Sequence, residues 1–168
     1  MTIKNIPYKA LIAGIAISCS ASAMAEISTF KVAVIKDTTA SQEIISGDLE
    51  ASITQLTLSN KNTFENNTGL CVAYLKSKNV EKSESACTAA IESISSVSSY
   101  DKKKTYLQSL SYSNRAIARY LKNDFTGAMD DLSVATSINS NTITAGNLQL
   151  LKNKILEVDE SADSIFSE

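Results

Sequence analysis

The chain has no histidine, no tryptophan, a single proline, five glycines and three cysteines among its 168 residues. Without histidine, neither a Ser-His-Asp nor a Cys-His nucleophile can be assembled, and imidazole cannot help to hold a metal. So little Gly and Pro leaves scant material for the frequent tight turns of a β-sandwich, and no Gly-rich phosphate loop occurs. Neither sign of charge dominates: 16 basic and 18 acidic side chains give a formal net charge of −2. The concentrated basic face that phosphate neutralisation needs is therefore absent, and nucleic acid is not an expected partner. The acidic pairs Asp130-Asp131 and Asp159-Glu160 are adjacent in sequence. On a helix their members point in different directions and cannot flank one bond. The expectation is a protein that is not an enzyme and carries no cofactor and no metal.

What is present is rich in Ala, Leu, Ile, Lys and Glu, which points to an all-α chain with one core. The first residues read as an address. Lys4 and Lys9 give a positive start, residues 10–17 (ALIAGIAI) an apolar run, and Ala23-Met24-Ala25 a small-residue cleavage site. Residues 1–25 are thus expected to be a signal peptide, with an exported product that is periplasmic or secreted. The run is too short to span a bilayer core of about 30 Å, so no membrane span is expected after cleavage. Loss of Lys4 and Lys9, with no acid, takes the formal charge from −2 to −4. Cys19 departs with the leader, and Ala16 stands where a lipid-attachment site favours a larger apolar residue.

Cleavage leaves Cys71 and Cys87, an even number in an oxidising compartment. Each lies eight residues from Asn79. In an antiparallel helical hairpin turning there, both stand about 12 Å up their helices, at one level, where Cα atoms roughly 4.4–6.8 Å apart permit a bridge. A structural disulfide is expected, with unpaired buried thiols as the alternative; the spacing is not the Cys-x-x-Cys of a redox site.

Along the chain, residues 26–36 read as an extended arm, because Phe30 to Lys36 alternates like a strand with no second strand to pair with. Asp37-Thr38-Thr39 offers capping side chains. Apolar periodicity then predicts helices over 40–46, 49–58, 63–77 capped by Thr63, 80–94, 102–122 capped by Asp101, 126–138 and 142–158. A Ser-rich linker covers 93–99, and 159–168 reads as an acidic, frayed tail. The globular part is 37–158. Lys102-Lys103-Lys104 reads as the solvated end of a helix.

Residues 114–135, NRAIARYLKNDFTGAMDDLSVA, resemble a tetratricopeptide repeat, a helix-turn-helix unit with a period of about 34 residues. Tyr112 takes the aromatic place, Arg115-Ala116 the Leu-Gly pair, Arg119 the Tyr, Ala128 the Ala and Leu132 the Phe. An upstream copy, 69–90 (GLCVAYLKSKNVEKSESACTAA), places Leu70-Cys71, Tyr74, Ser83 and Cys87 at those positions, and 47–58 resembles half of a further unit. Ser140 stands where a Pro is usual. Cys71 and Ala116 lie 45 positions apart, so an insertion of about 11 residues separates the copies, around 95–106.

The resemblance implies an α-solenoid of stacked antiparallel hairpins that binds a protein or peptide in a concave groove lined by the first helix of each hairpin. Carried onto this sequence, the groove residues are Val72, Leu75, Lys76, Ser113, Ile117, Tyr120 and Leu121. Family grooves that capture a terminal carboxylate use Asn and Lys. Asn114 fits that role, whereas Val72 stands where another Asn is expected. The alternative reading is an envelope protein that self-associates through its hairpin faces.

Overall fold

Gly47, Lys78 and Asn123 each end a helix in the left-handed conformation, with φ of 89°, 62° and 63°. Each is followed by an N-cap residue of nearly one geometry: Asp48 (φ −79°, ψ 72°), Asn79 (−84°, 78°) and Asp124 (−84°, 73°). Each cap side chain accepts the N–H three residues on, from Ala51, Lys82 and Gly127 respectively. At the second and third turns the cap N–H also reaches back five residues, Asn79 to the Tyr74 carbonyl and Asp124 to the Arg119 carbonyl, both at 2.9 Å. That closure satisfies the last carbonyls of the preceding helix. Only Gly47 has no Cβ to strain such a φ.

The computed structural model describes residues 30–165 apart from 37, 99 and 100. The expected signal peptide and the first four residues of the expected arm lie outside these. The helices are α1 (Ser41–Ser46), α2 (Leu49–Ser59), α3 (Phe64–Lys76), α4 (Val80–Ser93), α5 (Asp101–Leu121), α6 (Phe125–Ile138) and α7 (Thr142–Ile165), with a 3₁₀ turn at Ile94–Ser96. The described residues contain no β-strand. Every helix packs against its successor, and α1, α3, α5 and α7 also touch one another in that order.

The core follows from which residues are small. Ala116 and Ala118 of α5 and Ala128 of α6 are buried with Ile117 and Leu132, and the same cluster takes in Leu75, Leu151, Cys71 and Cys87. A second cluster joins Ile44, Leu56, Val72 and Ala73, and a third joins Phe64, Ala90, Ile94 and Leu107. Gly69 lets α2 approach α3, since a Cβ there would stand 2.9 Å from Leu56 Cδ1. The disulfide between Cys71 and Cys87 is present, with Cα atoms 4.7 Å apart across the α3–α4 hairpin.

Charge ties α4, α5 and α6 together. Arg115 grips the buried Asp131 carboxylate with two parallel bonds of 2.8 and 2.7 Å, and Arg119 adds a contact of 3.1 Å. Arg119 and Lys122 also hold Glu84 of α4. The Lys122 ammonium, foremost, and then the Arg119 guanidinium hold the Glu84 carboxyl below its ordinary range against an opposing effect of burial. Lys122 is held above its own range by Glu84 and then Glu81, and Arg115 is raised by Asp131.

Two expectations are corrected. Asp101 is the first residue of α5, not its N-cap. Residues 159–165, expected to fray, continue α7, since nothing from Thr142 to Ile165 except Gly146 disfavours helix strongly. Between α4 and α5 stands the 3₁₀ turn, and α5 has 21 residues where α3 has 13.

Reduction of the Cys71–Cys87 bond, whose partners stand 16 apart in sequence, should lower the unfolding free energy by about 3 kcal/mol. Urea unfolding with and without reductant measures this, and an unmoved midpoint would contradict it. Because the Glu84 carboxyl is lowered, its contribution is complete above the ordinary Glu range and is lost as pH falls through the lowered value. The stability gap between wild type and Glu84→Gln should therefore be widest near neutral pH and close in acid. Thermal melts across pH 7 to 3 test the sign. The raised Lys122 works the other way, its share fading only as pH rises past the lysine range. Asp131→Ala removes the two-bonded carboxylate of Arg115 and one of the acceptors of Arg119, and should cost about 3 kcal/mol.

Candidate functional site

Residues 109–118 of α5 are buried except at Tyr112 and Arg115, which are half-buried. Every polar group on this stretch must therefore find a partner inside the protein. Ser109 and Ser111 turn back to the carbonyls of Tyr106 and Leu107 on their own helix. Asn114, 0% exposed, cannot do so and faces outward across α5. Its Oδ1 accepts the Ala33 N–H and its Nδ2 donates to the Ala33 carbonyl, both at 2.9 Å.

Asn147 of α7, 1% exposed, repeats the arrangement two residues earlier on the same segment. Its Oδ1 accepts the Lys31 N–H at 2.9 Å, and its Nδ2 donates to the Lys31 carbonyl at 3.0 Å. The Lys31 N–H can only donate and its carbonyl only accept, which fixes which way the carboxamide faces, and the same Nδ2 also donates to Ser113 Oγ at 2.9 Å. Each Asn thus takes up both main-chain groups of one residue and bonds to no side chain of the segment.

Apolar contacts fill in between. Phe30 is buried, its ring 5.0 Å from that of Tyr120, which in turn stands 5.5 Å from Phe125. Val32 packs against the clusters of α3 and α5, and Ala33 is buried. Val34 and Ile35 line a cavity of about 10 Å³ with Thr68, Gly69 and Val72 of α3. Residues 30–35 therefore cross α7, α5 and α3 in that order, against the direction of the chain. Residues 31–35 form no helix or strand.

The residues named from the sequence differ in burial and in partner. Val72, Leu75 and Ile117 are buried in the clusters beneath this segment. Ser113 is buried and touches Asn147. Tyr120 and Leu121 are half-buried, Tyr120 under Phe30. Lys76 stands apart, exposed, its ammonium donating to the Ile44 carbonyl at 3.0 Å. Cys71 and Cys87 form the disulfide already described. Asn114 was legible, but for a terminal carboxylate, whereas its partner here is main chain. Asn147 was missed. Two signals mark it: it stands 33 positions after Asn114, close to one repeat period, and it is a polar residue immediately before the seam begun by Leu148.

Two open clefts lie elsewhere. One, of about 290 Å³, is bordered by Asn60, Asn62, Asn66, Asn67, Leu70 and Tyr74. Asn67 is already bonded to Asn62, Ser93 and the Ala89 carbonyl. The other, of about 440 Å³, runs along α4 past Glu81, Glu84 and Glu92. The described residues hold no group of His, Cys, Asp and Glu side chains able to bind a metal, and no described helix is long and apolar enough to cross a membrane. Comparison of the chain with protein-family models, with curated proteins and with solved structures returns no match.

Asn114→Ala strands the buried N–H and C=O of Ala33, a loss of about 1–3 kcal/mol. It should also loosen the exposed Lys31 and Lys36. Trypsin cleavage after these lysines should accelerate several-fold while helical circular dichroism stays native. Mass mapping of a timed digest reads it, and an unchanged rate would mean that Asn114 does not hold the segment.

Proposed function

We propose that this protein is an exported, non-catalytic binding module of tetratricopeptide-like build, which takes an extended polypeptide across the row formed by α1, α3, α5 and α7. The observation that carries this reading is the pair of buried carboxamides, Asn114 and Asn147, each spanning the main chain of one residue in a non-helical segment. Carboxamides so placed suit any polypeptide lying across the helices, because every residue but proline offers the same N–H and C=O.

Three further features support it. The turn recurs at Gly47-Asp48, Lys78-Asn79 and Asp124 after Asn123, as a stack of alike hairpins requires, since no single pair can hide both its apolar flanks. The first helices touch in a row, which is the arrangement that makes a solenoid concave on one side. Residues 26–36 are, on this reading, the arm of the mature chain after removal of 1–25, and the disulfide suits a periplasmic or secreted location.

Residues 26–168, immobilised, should capture a saturable partner from extracytoplasmic extract, and Tyr120→Ala should weaken the capture at least about tenfold without altering helical circular dichroism. Capture that ignores Tyr120 would place binding elsewhere. A second reading has its own observation: Leu58 and Ile45, on the first hairpin, are 79% and 49% exposed. That face suits self-association, and light scattering that finds only monomer at high concentration removes it.

A further inference from the structure

We infer that residues 30–35 are a built-in stand-in for the groove's ligand, and that the partner is a protein segment of the same kind: extended, with an aromatic residue three positions before a small one. The inference rests on the binding-module reading and specifies what the module takes.

The way the segment is held separates it from ordinary packing. Among the described residues, none of the main-chain bonds made by 30–35 goes to another main chain; four run to the Asn114 and Asn147 carboxamides. Such a grip is indifferent to sequence at Lys31, whose side chain is exposed. Val32 and Val34 pack on the core clusters as any apolar side chain of their size would, and selectivity is sharpest at two places. Phe30 packs against the aromatic wall of Tyr120, and Ala33, 3% exposed over Asn114, is enclosed, so that a small side chain suits the place. A foreign strand meeting those two conditions satisfies the same buried polar groups.

The segment is also able to leave. Among the described residues it precedes every helix, so it can lift away from them without unthreading, and residues 36–40 join it to α1. Ala40, at that junction, is held at φ 62° although it is not glycine, a conformation that side chains rarely adopt. Departure would leave Asn114 and Asn147 with unmet polar atoms beside apolar surface, which a replacement main chain meets and an apolar patch does not. The internal segment lowers the fraction of molecules able to bind and so raises the apparent dissociation constant in proportion.

The test uses the chain from residue 26 to 168 and a fluorescent peptide of residues 29–36 (TFKVAVIK), read by polarisation. Phe30→Ala weakens the internal segment but leaves the groove whole, so it should bind the peptide at least about tenfold more tightly than wild type. Adding Asn114→Ala to that variant should abolish the gain, as should a peptide with Leu at the Ala33 place. Lys31→Pro, which removes the N–H given to Asn147, provides the same comparison if Phe30→Ala fails to fold. Equal affinity of wild type and both variants, or binding indifferent to Asn114, overturns the inference. Wild-type dimers that disappear on Phe30→Ala would assign the groove to a second copy and overturn it as well. If extract capture depends on Tyr120 but the peptide never binds, the module reading survives and the ligand class proposed here does not.

Discussion

A helix enclosed on nearly every side must settle each polar group it carries, and α5 is that helix. Between Ser109 and Ala118 it presents serines, an asparagine and an arginine to the interior. Each is answered differently. The serines at 109 and 111 fold back onto their own helix, Arg115 turns to Asp131 on α6, and Asn114 looks to a segment 81 residues away. The neighbours of α5 are thereby specified by polarity as well as by shape. An apolar helix of the same size would accept several packings; this one accepts a partner that brings a carboxylate to one side and main chain to the other.

The two central hairpins solve one problem by different chemistry. Cys71 and Cys87 stand, 45 positions earlier, where Ala116 and Leu132 pack in the α5–α6 pair. The first hairpin is closed by a covalent bond, the second by close contact of small residues reinforced by the Arg115–Asp131 pair. Both keep the same turn, because the turn depends on a left-handed residue and an Asn or Asp cap, not on what lies deeper in the hairpin.

Local chemistry made much of this readable in advance. Helices α2, α3, α4, α6 and the start of α7 were marked by Thr63, by turn-forming Asn and Asp, and by apolar residues at steps of three and four. The cysteine pairing followed from equal distances to Asn79. The extent of α7 was not legible, because an acidic, apolar-poor stretch carries no periodic signal even where it has good helix formers. Asn147 was not legible for a related reason. A buried carboxamide on a helix face looks like a solvated one until the segment it serves is known, and that segment is 116 residues away. The residues carried over from the repeat pattern lie on α3 and α5 or at its end, and position in a repeat cannot foresee that residues 30–35 pack over most of them.

The rung spacing of the carboxamides sets a limit on how much strand this surface can hold. Two residues of extended chain advance about 6.8 Å, whereas helices in contact lie about 8–10 Å apart. A strand laid across successive helices therefore falls behind by a few ångströms per step, like two rulers of unequal graduation. Asparagine side chains can absorb one such lag, which joins Lys31 to Asn147 and Ala33 to Asn114. On α3 the matching place, 45 residues before Asn114, is Gly69, where Leu56 leaves no room for a side chain. The segment is gripped by helix side chains at two rungs, and beyond them it meets α3 through apolar contacts.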